Sequence, residues 1–259
     1  MLVGVIHLPA LPGSPRSSLT ATECAKSAGA CARALADAGY DAIIVENFGD
    51  VPFFAGRVPA VTVAAMTTCA LAVRESAPDI QLGINVLRND AESALGIALC
   101  TGAKFVRVNV LTGARVTDQG IIQGDAAALL RCRRALGAEG VAVWADVDVK
   151  HSAPLGPPRP IAQEVEDTTK RAMAEAVLVT GEGTGKGVDL DKLATVKRAA
   201  GNTPVLVASG ATLTTLPLLA KHATGVIVGS ALRVGGVPGG SIDATLAKSF
   251  ADAYRKAFG

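Results

Sequence analysis

The chain has 259 residues, close to the roughly 250 that one (β/α)₈ barrel uses. Its 49% hydrophobic and 19% charged residues describe a folded chain with an ample core, which excludes intrinsic disorder. Lys and Arg number 25 against 23 Asp and Glu, and aromatics make up 3%, so neither the positive excess nor the stacking surface of a nucleic-acid binder is present.

Eight short β-branched runs recur along the chain, each followed by a longer Ala-rich stretch of helical character. The predicted strands are residues 2–8, 42–46, 81–86, 105–109, 141–147, 176–180, 204–208 and 225–228. The predicted helices between them are residues 22–37, 59–75, 91–100, 125–136, 163–175, 191–200, 212–220 and 242–256. Strands alternating with helices at this spacing predict βαβ units and a parallel sheet. Eight units without a linker or compositional break predict a single α/β domain over residues 1–259, a (β/α)₈ TIM barrel. An open doubly wound sheet would be signalled by GxGxxG after the first strand; that strand runs instead into the rigid loop Pro9-Ala10-Leu11-Pro12-Gly13-Ser14-Pro15.

The longest apolar stretch, residues 61–73, contains three threonines and falls short of the roughly 20 residues a spanning helix needs. The opening MLVGVIHLPALPG carries no basic leader, so a secretory signal is not expected. The five cysteines, Cys24, Cys31, Cys69, Cys100 and Cys132, lie in helix-like segments without a CxxC pair. Reduced thiols in a cytoplasmic protein are the expectation.

In a barrel of this kind the functional site lies at the C-terminal ends of the strands. The long loops here follow the first, second, fourth and fifth strands, on that face. Side chains on a strand alternate between its two faces. On the fifth strand Trp144, Asp146, Asp148 and Lys150 share one parity, and the apolar Val143, Ala145, Val147 and Val149 share the other. The polar set therefore points into the barrel or rises from its rim. On the fourth strand Arg107 and Asn109 are set off likewise from Val106, Val108 and Val110. Gly83 and Asn85, Val5 and His7, and Glu46 or Asn47 complete the expected rim. A buried, unpaired charge is costly, so Arg107 is expected to pair with Asp146 first and Glu46 second.

The candidate catalytic residues are Glu46, Arg107, Asn109, Asp146, Lys150 and His151. Lys150 can serve anion recognition or, if desolvated, Schiff-base chemistry, and His151 acid–base transfer. His7, Asn47 and Asn85 are candidate substrate-binding residues. So are the glycine turns after the late strands: Gly181 and Gly183, Ser209-Gly210, and Gly229-Ser230. Backbone N–H groups at such turns commonly hold phosphate in these barrels. The segment around Lys186 fails the Walker pattern because Gly187 follows it. Glu46, Asp146 and Asp148 could hold Mg²⁺ with a substrate phosphate; Arg107 and Lys150 could equally neutralise them, and the cofactor is left open. His222 falls at a helix end on the far face.

The strings at these strand ends are specific: GVIHLPALPGSP (residues 4–15), DAIIVENFGDVPF (41–53) and RVNVLTGARVTDQGIIQG (107–124), then ADVDVKH (145–151), AVLVTGEGT (176–184) and VIVGSAL (226–232). Together they resemble the BtpA/SgcQ family of barrel proteins nearly end to end. The resemblance implies a cytoplasmic barrel that forms homo-oligomers, and it carries over no catalytic residue. It implies two functions. One is an enzyme acting on a phosphorylated sugar or nucleoside-type metabolite as lyase, isomerase or hydrolase. The alternative is a non-catalytic biogenesis or stability factor for a membrane complex of the photosystem I type, associated peripherally.

Overall fold

The computed structural model describes residues 1–181 and 187–259. In chain order its strands are β1 (Leu2–His7), β2 (Ala42–Glu46), β3 (Gln81–Asn85), β4 (Phe105–Val108), β5 (Ala114–Thr117), β6 (Gly120–Gln123), β7 (Ala142–Val147), β8 (Ser152–Pro154), β9 (Ala176–Val179), β10 (Val205–Val207) and β11 (Gly225–Val228). Eight of them close into a parallel barrel in the order β1-β11-β10-β9-β7-β4-β3-β2. The helices are α1 (Ala21–Ala38), α2 (Ala60–Ser76), α3 (Ala91–Thr101), α4 (Ala126–Ala135), α5 (Ile161–Glu166), α6 (Leu190–Ala200), α7 (Leu216–Leu219) and α8 (Ala244–Phe258). The predicted (β/α)₈ architecture is the observed one.

Local chemistry explains the element ends. Thr20 and Glu23 form a reciprocal capping box at the start of α1, and Gly39 ends that helix with φ +82°, a conformation open to glycine. Asp90, Asp125, Asp189 and Asp243 each accept backbone N–H bonds at the start of a later helix. The seventh helix starts later than predicted because Thr212 and Thr215 exchange side-chain and backbone bonds, which hold a turn where a helix would begin. The fifth gives way after Glu166 to a wider π turn over Asp167–Arg171.

The barrel has two apolar layers. Val143, Ala145 and Val147 of β7 pack outward against the helices, and Val3, Val5, Ile44, Phe105, Trp144, Leu178 and Leu206 fill the interior. Phe105 and Trp144 stack with ring centroids 3.7 Å apart at 12°. Gly83 makes room for them, since a Cβ there would lie 2.2 Å from the Phe105 ring. Gly83, expected at the polar rim, is thus space reserved for an aromatic floor.

Two stretches expected to be loops are ordered. The loop after β4 folds into the β5–β6 hairpin, and β8, from the loop after β7, adds to its edge as an antiparallel strand. This small sheet joins two βα loops on the functional face. Strands of three or four residues give too short an alternation to separate them from loop by pattern.

Candidate functional site

A cavity of about 250 Å³ opens at the C-terminal mouth of the barrel. Its walls carry His7, Glu46, Arg88, Arg107, Asn109, Lys150 and His151, together with Ser209-Gly210 and Gly229-Ser230. A larger open groove of about 590 Å³ runs beside the hairpin. Most of its polar side chains are committed within the protein: Asp90 and Asp125 cap helices, Asn89 bonds the Val110 carbonyl and Arg57 pairs with Glu92. The mouth cavity is where uncommitted polar chemistry gathers.

The centre of the mouth is a buried ionic cluster. Arg107 donates through Nε to Asp146 Oδ2 (3.0 Å) and through Nη2 to Asp146 Oδ1 (3.1 Å). Its Nη1 stands 3.7 Å from Glu46 Oε2. Both expected carboxylates therefore face the one guanidinium. Burial opposes the Arg107 charge, but Asp146 and Glu46 outweigh it and hold the guanidinium more firmly protonated than usual. Asn109 donates to Asp146 (2.8 Å), and Asn85 donates both to Asn109 Oδ1 (3.2 Å) and to the Arg107 carbonyl (3.1 Å).

This network changes the part that Asp146 can play. Its carboxylate is fully buried and accepts three bonds, and it is not among the cavity-lining residues. Asp146 lies beneath Arg107 and holds it by two hydrogen bonds. Glu46, on the cavity wall, is left to act as acid or base. Asn85 lies one layer down and also does not line the cavity; among the described residues its Oδ1 has no bond partner. Asn47 serves the loops: it accepts from the Leu87 N–H (2.7 Å) and donates to Asp50 (3.1 Å). Gly181 is buried and does not line the cavity, and Gly183 falls outside the described residues.

His7 faces Glu46, with Nε2 3.8 Å from Oε1, and stacks on Phe48 at 4.3 Å. Its Nδ1 accepts from the Gly239 N–H at 3.1 Å, so the ring proton sits on Nε2, towards Glu46. Burial, reinforced by Arg233, Lys150 and Arg107, holds its pKa well below the ordinary 6.5. The imidazole is neutral at physiological pH.

Lys150 donates its backbone N–H to Thr180 (3.0 Å), and its carbonyl accepts from Arg88 Nη2 (2.8 Å). Among the described residues its ammonium makes neither a hydrogen bond nor an ion pair. Burial and the nearby charges of Arg107 and Arg88 lower its pKa, against the opposing pull of Glu46 and Asp146. Arg88 is itself buried and has no carboxylate partner among the described residues, and its Nε is unpaired. His151 lines the outer wall, where burial and the adjacent Lys150 and Arg88 charges lower its pKa.

Parity failed at one carboxylate. Asp148 has φ +49° and His151 φ +57°, so strand alternation stops at Val147. Asp148 turns out of the mouth to meet Arg115 of the hairpin (2.9 Å) and Lys192 of α6. Burial resists its charge, but these two cations prevail and keep its pKa below the ordinary 3.8. The three carboxylates that could have held Mg²⁺ together are therefore not gathered, and no group of three or more His, Cys, Asp or Glu poised for a metal occurs among the described residues.

Two residues of the mouth went unread in the sequence. Arg88 lies in the loop beyond β3, past the reach of strand parity, although its position in a βα loop was a usable signal. Arg233, also buried, is bonded to the carbonyls of Gly229, Val5 (3.1 Å) and Gly240 (3.3 Å). It braces the last turn from behind, and nothing in its sequence context marked that.

The BtpA family model matches residues 1–256. The chain belongs to the BtpA family. It is 45% identical to the Photosystem I biogenesis protein BtpA of Synechocystis over 97% of this chain and 87% of that protein. An uncharacterized protein of Thermococcus kodakarensis is 43% identical over 90% and 86% of the two chains. A Caenorhabditis elegans relative, described as an uncharacterized mitochondrial protein, is 33% identical over 91% and 86%. Among solved structures, a native KDPGal structure superposes with a TM-score of 0.61 at 13% identity, covering 99% of this chain and 93% of that one. N-(5′-phosphoribosyl)anthranilate isomerase from Pyrococcus furiosus gives 0.59 at 17% identity, with 99% of each chain covered. At such identities the BtpA-family barrel shares with these enzymes the fold alone. No described helix is long and apolar enough to cross a membrane.

Proposed function

We propose that this protein is an enzyme acting on a small phosphorylated metabolite, of sugar or nucleoside type, held in the mouth cavity. The observation that carries this reading is the pairing of two features on one small cavity. Arg88 brings buried positive charge without a carboxylate partner among the described residues, and Ser209-Gly210 and Gly229-Ser230 bring glycine turns. Unpaired buried charge is costly unless something of opposite sign meets it. Glycine turns let backbone N–H groups approach an anion closely. The size of the cavity, below the roughly 300 Å³ at which drug-sized pockets begin, favours a short sugar phosphate over a nucleotide. Glu46 and His7 then serve as the acid–base pair at the reacting end, and Arg107 fixes Glu46.

Thermal-shift titration with a panel of sugar and nucleoside phosphates, and with inorganic phosphate, tests the reading. A ligand at a hundred times its dissociation constant stabilises by about 2.7 kcal/mol, which is readily measured. Silence across the panel, phosphate included, overturns it.

A second reading, a non-catalytic assembly factor for a membrane complex, draws on the name of the Synechocystis relative. Exposed Phe54, Val234 and Val237, on loops at the mouth face, favour it as a docking rim. Stable co-fractionation with membranes, combined with a silent ligand panel, would support it.

A further inference from the structure

We propose that Lys150 is a nucleophile that forms a Schiff base with the aldehyde or ketone carbonyl of a small phosphorylated substrate. The inference deepens the binding reading above and rests on it.

Placement comes first. Lys150 follows β7, and the Ser209-Gly210 and Gly229-Ser230 turns follow β10 and β11. In the closed strand order β9 and β10 stand between β7 and β11, so Lys150 and the last turn lie on opposing walls of one cavity. A phosphate gripped by the turns leaves the other end of a short substrate at the Lys150 amine, which a second phosphate-binding lysine beside the turns would not do.

Chemical state comes second. An amine attacks a carbonyl only as the free base, and lysines reach that form near neutral pH when desolvated beside other cations. Lys150 meets this condition: it is largely removed from water, Arg107 and Arg88 stand near it, and its pKa is lowered. Among the described residues, the two carboxylates of its own strand end are engaged elsewhere. Asp146 is held by Arg107 and Asn109, and Asp148 has turned away to Arg115 and Lys192. Arg88 also grips the Lys150 carbonyl, which fixes the backbone from which the amine projects.

The step balances without a further reactant. The Nζ lone pair bonds to the carbonyl carbon while the C=O pair moves to oxygen, which is protonated to give a carbinolamine. The C–O bond then breaks as the nitrogen lone pair forms C=N: oxygen takes up one further proton from solvent and leaves as water, and nitrogen, keeping one hydrogen, carries the positive charge as an iminium. Glu46 and His7 line the same cavity, and they supply the groups that can move protons between nitrogen and oxygen.

The test is reductive trapping. The protein is incubated with pyridoxal 5′-phosphate, or with glyceraldehyde 3-phosphate, then reduced with borohydride and mapped by peptide mass spectrometry. In parallel, both probes and inorganic phosphate are titrated in thermal shift against the wild type and Lys150→Arg. The expected result is label concentrated on Lys150 ahead of the exposed Lys26 and Lys248, suppressed by inorganic phosphate and lost in Lys150→Arg. Stabilisation by the phosphate compounds without label at Lys150 overturns the Schiff-base assignment and leaves the binding reading standing. Absence of both stabilisation and Lys150 label overturns the two together.

Discussion

Asp146 and Asp148 stand two residues apart at one strand end and anchor ionic clusters of opposite character. The inner cluster joins Asp146, Arg107 and Glu46, all buried, at the base of a cavity. The outer one joins Asp148, Arg115, Glu164 and Lys192 and ties the hairpin to α5 and α6; Arg115 is itself buried, but its partners are open to water, the Asp148 side chain being 41% exposed. Water decides the difference. An exposed pair is screened and contributes little, whereas a buried one must be matched group for group because nothing else can solvate it. The inner cluster is accordingly bidentate and cross-braced by asparagines, and Lys150 beside it has no ion-pair partner among the described residues.

The largest expected effect comes from breaking the inner cluster. Arg107→Leu leaves the Asp146 and Glu46 carboxylates buried without their cation and should lower unfolding free energy by about 3–5 kcal/mol, measured by urea denaturation at neutral pH.

Lys150→Met should act in the opposite direction, since it removes a charge the folded protein holds at a disadvantage. A gain of about 0.5–2 kcal/mol is expected, together with weakened binding of carbonyl-bearing phosphate esters, the usual exchange between stability and function. Because folding lowers this amine's pKa, the wild type gains stability as pH rises from that lowered value towards the ordinary 10.5. The advantage of Lys150→Met should therefore shrink across that interval.

Arg115→Gln breaks the outer cluster and should cost only about 0.5–1 kcal/mol, less at high salt, after allowance for the exposure of Asp148. Ligand binding in the mouth should be preserved. A response equal to that of Arg107→Leu would erase the distinction between the clusters.

The smallest effect separates the clusters by pH. His7 is held neutral in the fold, so the unfolded chain binds the extra proton below pH 6.5 and stability falls as pH drops through that region. His7→Asn keeps an acceptor for Gly239 and should flatten the slope there. Asp148 has a lowered pKa, and its contribution is lost only on acidification below its ordinary 3.8. Calorimetric scans at closely spaced pH values should show the two limbs apart.

The same contrast explains what the sequence disclosed. Alternation placed Arg107, Asn109 and Asp146 inside the barrel because each lies on or just past a regular strand, where successive side chains must face opposite ways. It misplaced Asp148 because a left-handed backbone turn is invisible to a pattern of period two. Gly83 was grouped with the polar rim because a glycine shows nothing of the ring that occupies its space. Asn47 sits one residue past its strand, at a position equally suited to a ligand contact and to the loop clip it makes with Leu87 and Asp50. Arg233 is satisfied wholly by carbonyls, for which no side-chain signature exists.

The aromatic floor has a practical consequence. Trp144 is the sole tryptophan of the chain, and it lies buried against Phe105 on the strand whose end carries Asp146 and Lys150. Ultraviolet emission from the unlabelled protein therefore originates almost directly beneath the mouth, and occupancy there can be followed by fluorescence with no dye attached.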